Sequence, residues 1–224
     1  MQKQFTQFAD NIRLTANQEA DAKTKYDGVC TKLHTSYSDN DYDGKTKLLF
    51  GSYKTKTNVR PITENQDVDV LFKIPKATYD KFKAYESNGP SALLQEVKGF
   101  LNEKYTTTDE IKAWGKIVQV KFADNAHNVE ILPAFEEEDG TFTIPNSENG
   151  GSWDKFDPRE QITLFQNSNS TTNGLTAELT RMIKTWVDNT STCNYKSYKL
   201  LGDVMKFLET NFKTGADYSD YSNV

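Results

Sequence analysis

Apolar residues recur at helical spacing near both ends of the chain and alternate with polar ones through its middle. Residues 5–36 read as helical: Phe5, Phe8, Ile12 and Leu14 lie at or near a spacing of three to four, and Tyr26, Val29, Cys30 and Leu33 follow the same rule. Residues 36–44 are rich in Ser, Asp, Asn and Gly, which is loop chemistry. Lys47-Leu48-Leu49-Phe50 is a short apolar run that stops at Gly51-Ser52, as a buried strand entering a tight turn would. Residues 55–66 are polar and contain Pro61, so a loop is expected there.

The clearest strand is Asp67-Val68-Asp69-Val70-Leu71-Phe72-Lys73-Ile74, whose alternation puts both Asp residues on one face and Val68 and Val70 on the other. Residues 79–105 read as two helical pieces interrupted by Asn88-Gly89-Pro90, with the second piece capped by Ser91. Residues 116–122 alternate as a strand, and residues 128–135 form another, ended by Pro133. Asp139-Gly140 is hairpin-turn chemistry between Ala134-Phe135 and residues 142–144. Beyond the Gly/Asn/Ser run at 146–152 the spacing is helical: from Pro158 onward, then over 175–187, then over 198–212. The tail from Gly215 to Val224 is polar and brings no closing element. The pattern predicts an α+β fold in two parts, residues 1–150 with all the strands and residues 151–224 helical.

Composition narrows the function. At 36% apolar and 26% charged, 224 residues are enough to bury a core without disulfide staples. The two cysteines, Cys30 and Cys193, have no motif spacing, which fits a reducing cytoplasm. No apolar run reaches the length of a membrane span, and the first residues lack a signal core. The 27 basic against 32 acidic residues, net −5, disfavour a surface for long nucleic acid. With only His34 and His127, a multi-histidine zinc site or a Ser-His-Asp triad is poorly supplied, and carboxylate chemistry is better stocked.

Asp67 and Asp69 carry that chemistry. Two carboxylates held on one strand face repel each other unless a cation lies between them, and hard divalent ions such as Mg²⁺ or Mn²⁺ suit oxygen ligands. A bare Asp-x-Asp is more often a solvated strand edge, so its surroundings matter. Upstream, Gly51-Ser52 offers backbone N–H groups and a hydroxyl suited to phosphate oxygens. Downstream, Glu130 is a lone acid between Val129 and Ile131 in an otherwise apolar strand.

Leu48-Leu49-Phe50-Gly51-Ser52-Tyr53, Thr55, Thr57, Pro61 and Asp67-Val68-Asp69-Val70-Leu71 resemble the polymerase-beta-type nucleotidyltransferase signature. Three further stretches make the chain similar to the bacterial cGAS/DncV-like nucleotidyltransferases (CD-NTases): Val129 to Phe135 with its Pro-Ala-Phe ending, Trp153 through Asp157-Pro158, and Arg181-Met182-Ile183-Lys184-Thr185-Trp186 followed by Lys196-Ser197-Tyr198-Lys199-Leu200. The resemblance covers roughly residues 45–210. It departs in carrying Glu130 where many relatives have Asp, in Leu201 where a Glu is common, and in stopping at Val224 where relatives continue with more helix.

The resemblance implies a nucleotidyltransferase fold, a mixed twisted sheet with flanking helices followed by a helical subdomain. It implies a site in which Asp67, Asp69 and Glu130 are catalytic and bind two Mg²⁺ or Mn²⁺ ions, while Gly51, Ser52, Lys184 and Ser197 meet the nucleotide triphosphate; Arg181 pairs with a phosphate or with a neighbouring acid, and Tyr198 stacks on the base or is a core aromatic. The implied activity is synthesis of cyclic di- or trinucleotide messengers from NTPs with release of pyrophosphate, in antiphage signalling. The implied protein is a cytoplasmic monomer without membrane or long nucleic-acid partner, whose product acts on a downstream effector. Two alternatives stay open: a nucleotidyltransferase that modifies RNA, a protein or a small molecule, and an inactive nucleotide-binding regulator.

Overall fold

A computed structural model describes residues 2–63, 66–123 and 127–212. The polar tail expected from Gly215 onward lies outside the described residues. The elements, in chain order, are α1 (Gln2–Ile12), α2 (Ala16–Tyr37), β1 (Lys47–Leu49), α3 (Gly51–Thr55), β2 (Asp67–Lys73), α4 (Lys76–Lys83), α5 (Gly89–Lys104), β3 (Glu110–Trp114), β4 (Ile117–Lys121), β5 (Asn128–Glu136), β6 (Phe142–Asn146), β7 (Ser152–Phe156), α6 (Pro158–Thr171), α7 (Leu175–Asp188) and α8 (Ser197–Asn211). They gather into two compact units: one of residues 16–50 and 63–157, the other of residues 1–15, 51–62 and 158–224.

The first unit holds the sheet, ordered β1-β2-β5-β4-β3, with β5 continuing into β6 and β7. It is mixed: β2 and β5 run parallel, and every other pairing is antiparallel. Val68, Val70 and Phe72 share one face of β2 and are buried. Helix α2 packs on that side, with Tyr37 stacked on Phe72 at 6.1 Å. The other face is apolar at one end, where Leu71, Leu132, Ala134, Phe142 and Ile144 form a cluster with Ile117, Phe50 and Phe156. At its other end the same face carries acids. This is the arrangement expected of the α+β nucleotidyltransferase fold.

Several elements depart from the linear pattern for identifiable reasons. Pro133 does not end β5, which runs on to Glu136. The β4 ladder on β5 reaches only Ile131 and the β6 ladder begins at Phe135, so Pro133 sits between two partners, where a missing N–H is tolerated. Ser91 does not cap α5. The cap position is Asn88, in a left-handed conformation at φ 61°, with Pro90 in the first turn, whose N–H would be unsatisfied anyway. β3 and β7 were not legible because most residues of β3 are exposed and none of β7 is fully buried, so they carry little apolar alternation. The expected hairpin is present: β5 and β6 pair through Glu136 and Phe142, and Gly140 takes a φ of 82° in the turn.

The second unit is helical. α7 and α8 join through Leu175, Leu200, Val204 and Leu208. α1 packs on α7 through Ala9, Ile12 and Met182. The helix read as continuous over residues 5–36 is broken at 13–15. Arg60 closes the end of α1: its backbone N–H donates to the Ile12 carbonyl at 2.9 Å, and its guanidinium donates to the Asn11 and Asp10 carbonyls at 2.5 and 2.8 Å. Those are carbonyls a helix C-terminus leaves without intrahelical partners.

Candidate functional site

Within the sheet unit the acids meet by strand register. Asp69 on β2 lies opposite Glu130 on β5, and Glu130 lies opposite Gln119 on β4. Side chains of register partners in a sheet point to the same face, so three strands deliver Asp69, Glu130 and Gln119 in one row. Asp67 is two residues before Asp69 and on the same face. Its backbone partner is Asn128, which is buried and whose side chain hydrogen-bonds the Asp67 carboxyl.

Crowding sets the protonation of this group. Burial pushes the Glu130 carboxyl up, and the negative charges of Asp67 and Asp69 add to it, reaching about 8. Burial also raises Asp67, against the hydrogen bonds of Asn128, Gln119 and Glu130 and the charge of Lys121. Burial and like charge favour the protonated form of Glu130, whose carboxyl hydrogen-bonds Asp67. The Gln119 amide nitrogen donates to both acids, to Asp67 Oδ1 at 3.0 Å and to Glu130 Oε1 at 3.3 Å. Linear reading passed over Gln119 and Asn128. The polar position in Val118-Gln119-Val120 was a signal for Gln119, but its register with Glu130 is not written in the sequence.

Three carboxyls on one sheet face are a hard-oxygen donor set, the type that suits Mg²⁺ or Mn²⁺. Among the described residues no group of three or more His, Cys, Asp or Glu side chains is arranged to hold a metal as it stands. The donor chemistry fits a divalent ion, with the Glu130–Asp67 hydrogen bond as the arrangement that ion would displace.

Within the helical unit, Gly51 opens α3 at φ 61°, a conformation that favours glycine. The turn after it is held from inside. Thr55 Oγ1 donates to the Gly51 carbonyl at 3.0 Å and lies 2.9 Å from Thr57 Oγ1, and the Thr57 N–H donates to the Ser52 carbonyl at 3.0 Å. Lys184 Nζ on α7 donates to Ser52 Oγ at 2.6 Å. Arg181, one turn earlier, is buried, and its guanidinium donates to the Lys56 carbonyl at 2.5 Å. Arg181 thus braces the loop after α3. Ser197 begins α8 and is exposed, and Tyr198 beside it is 61% exposed, so Tyr198 is not a core aromatic.

Cys30 and Cys193 are both free thiols, and burial pushes Cys30 up to about 12. Among the described residues no helix is long and apolar enough to cross a membrane.

Known proteins resemble this chain mainly in fold. A sequence search of curated proteins found no match. CdnC of E. coli MS115-1, solved with HORMA-deltaN, matches with a TM-score of 0.69 at 20% identity over 99% of this chain and 67% of its own. CdnE cyclic dinucleotide synthase of Elizabethkingia meningoseptica, solved with GTP and Apcpp, matches at 0.70 and 17% identity over 100% of this chain and 81% of its own. Vibrio cholerae DncV cyclic AMP-GMP synthase, solved with the linear intermediate pppA(3′,5′)pG, matches at 0.70 and 12% identity over 95% of this chain and 72% of its own. Residues 1–169 match the Second Messenger Oligonucleotide or Dinucleotide Synthetase domain, about three quarters of the chain. With the sheet, its acid row and the Gly-Ser turn in place, the chain belongs to that synthetase family, the bacterial cGAS/DncV-like nucleotidyltransferases.

Proposed function

We propose that this chain joins NTPs into a cyclic di- or trinucleotide messenger, releasing pyrophosphate at each step. The observation that carries this reading is the row of Asp67, Asp69 and Glu130 on one sheet face, where the charges of the two Asp residues add to burial in raising Glu130. A pair of divalent cations, Mg²⁺ or Mn²⁺, held by these acids would activate the acceptor ribose hydroxyl and screen the donor triphosphate.

The remaining roles belong to the chain itself. Asp67 and Asp69 would hold the ions with their carboxylate oxygens, and Glu130, once its proton is lost to solvent, would be the third ligand. Gly51 has no side chain, so a phosphate oxygen can approach the backbone. The Ser52 hydroxyl and the Lys184 ammonium, already hydrogen-bonded to each other, turn to the terminal phosphates of the donor. Arg181 keeps the Lys56 carbonyl, and with it the turn, in place. Ser197 and Tyr198 at the head of α8 are assigned to the nucleotide, Tyr198 as an exposed stacking surface. The ribose hydroxyl oxygen bonds to the α-phosphorus as the bond to pyrophosphate breaks, and the hydroxyl proton passes to solvent. A second transfer within the same site closes the ring.

We assign the product to bacterial antiphage signalling through a nucleotide-responsive effector, and the chain itself to the cytoplasm as a monomer. Family membership supports this assignment. The test is direct: the protein is incubated with Mg²⁺ or Mn²⁺ and all four NTPs, and products are read by mass. Phosphatase-resistant cyclic products are expected. Loss of all product in a combined Asp67→Ala and Asp69→Ala variant supports the site, whereas continued synthesis in that variant removes it. Transfer only to added RNA, protein or small molecules would move the chain to the alternative transferase class. Tight NTP binding without turnover would make it a regulator.

A further inference from the structure

Gln119, Glu130 and Asp67 come from three neighbouring strands, and Gln119 touches both acids. Strands in a sheet lie about 4.8 Å apart, so β4 and β2, with β5 between them, have backbones about 10 Å apart. A side chain from β4 that reaches Asp67 must extend over β5. Glutamine is long enough, and asparagine, one methylene shorter, is not.

Resting on the reading that the acids hold a divalent cation, we propose that Gln119 is a positioning residue for that cation: its amide fixes the separation and orientation of the Asp67 and Glu130 carboxyls and so sets metal affinity. The chemistry of the group fits this role. The amide offers two N–H donors, one for each acid, and each carboxylate has about four lone-pair directions, so the amide and an ion need not compete for the same one. The donor is neutral. A lysine here would itself act as the counter-ion, a glutamate would add a fourth repelling charge, and an apolar residue would remove the donor that fixes both carboxyls from the β4 side. Partners of this kind, outside the ligand set but bonded to it, shift metal affinity about 10–100-fold.

The test titrates Mn²⁺ into the full chain and reads free Mn²⁺ by electron paramagnetic resonance. It compares wild type, Gln119→Met, Gln119→Asn and the combined Asp67→Ala and Asp69→Ala variant. Methionine keeps the length without the amide, and asparagine keeps the amide without the reach. Both Gln119 variants are expected to bind Mn²⁺ about tenfold or more weakly at an unchanged melting temperature. Pyrophosphate release from NTPs should need correspondingly more Mn²⁺ for half-saturation, with kcat recovered once Mn²⁺ is saturating, a split that a purely structural defect would not produce. Wild-type or tighter Mn²⁺ affinity in a folded Gln119→Met variant overturns the proposal. Should that variant fail to fold, wild-type affinity in Gln119→Asn does the same. Absence of Mn²⁺ binding by wild type, or undiminished binding by the Asp67/Asp69 variant, instead overturns the acid site on which the proposal rests.

Discussion

The Lys184 ammonium donates to the Ser52 hydroxyl at 2.6 Å, tying the middle of α7 to the first turn of α3. The two residues are 132 positions apart in the chain. If both hold the donor triphosphate, Lys184→Met should raise KM for NTP and lower kcat/KM by about 10–100-fold, the worth of one or two charge-assisted hydrogen bonds. Lys184 is only half-buried, so the melting temperature should hardly move. Steady-state kinetics beside a thermal melt separates the two effects.

The raised Glu130 carboxyl predicts proton release on metal binding. With its folded value near 8, Glu130 carries most of a proton at pH 7, and a divalent ion that takes its place should expel about one proton per site. Calorimetry of Mn²⁺ binding in buffers of different ionisation heat measures that proton. Glu130→Gln should abolish the release.

The same shift makes metal-free stability depend on pH. Glu130 is raised from 4.5 to about 8 on folding, so the folded state binds more protons than the unfolded state between those values. Its contribution to stability is therefore fully present below about 4.5 and is lost as pH rises through 8. Melts of metal-free protein at pH 6 and pH 9 should show a lower Tm at the higher pH. Glu130→Gln should flatten that difference, and added Mg²⁺ should restore the wild type.

Arg181 is 4% exposed and donates to a backbone carbonyl rather than to an exposed partner. Arg181→Ala should cost about 2–3 kcal/mol by removing a charged hydrogen-bond donor and its packing. A chemical-denaturation curve checks it. Because Lys56 follows the Gly-Ser turn, NTP affinity should fall along with stability, unlike in Lys184→Met.

Gly89 tests the fold independently of the site. A Cβ there would lie 2.2 Å from the Phe82 carbonyl oxygen, a backbone atom that cannot rotate away. Gly89→Ala should destabilise by about 1–3 kcal/mol, read from a melt, and leave Mn²⁺ binding at the acids unchanged.

Much of the architecture was written in local pattern. Helical spacing over 175–187 and 198–212 appears as α7 and α8, and alternation over 67–74 appears as β2, because each segment buries a face whose period is visible in the chain. The motifs Gly51-Ser52, Asp67-x-Asp69 and Glu130 were legible because their chemistry is unusual for the strands and turns that carry them. Edge strands β3 and β7 were not, since a strand with few or no fully buried positions needs no apolar period. The cap of α5 was misread because the left-handed Asn88 closes it, not a serine hydroxyl.

What the sequence determined alone, then, was the residue types and the faces they occupy: two acids on one side of a strand, a third on another strand, a glycine where the chain must turn. Register and packing decided what those groups touch. That Glu130 stands opposite Asp69 and Gln119, that Gln119 reaches across β5 to Asp67, and that Lys184 lands on Ser52 all depend on which strands and helices become neighbours. The burial that raises Glu130 is likewise a property of the assembled sheet. Alternation along one strand assigns a side chain to a face, but its electrostatic environment is set by residues far away in the chain, which only the folded arrangement brings near.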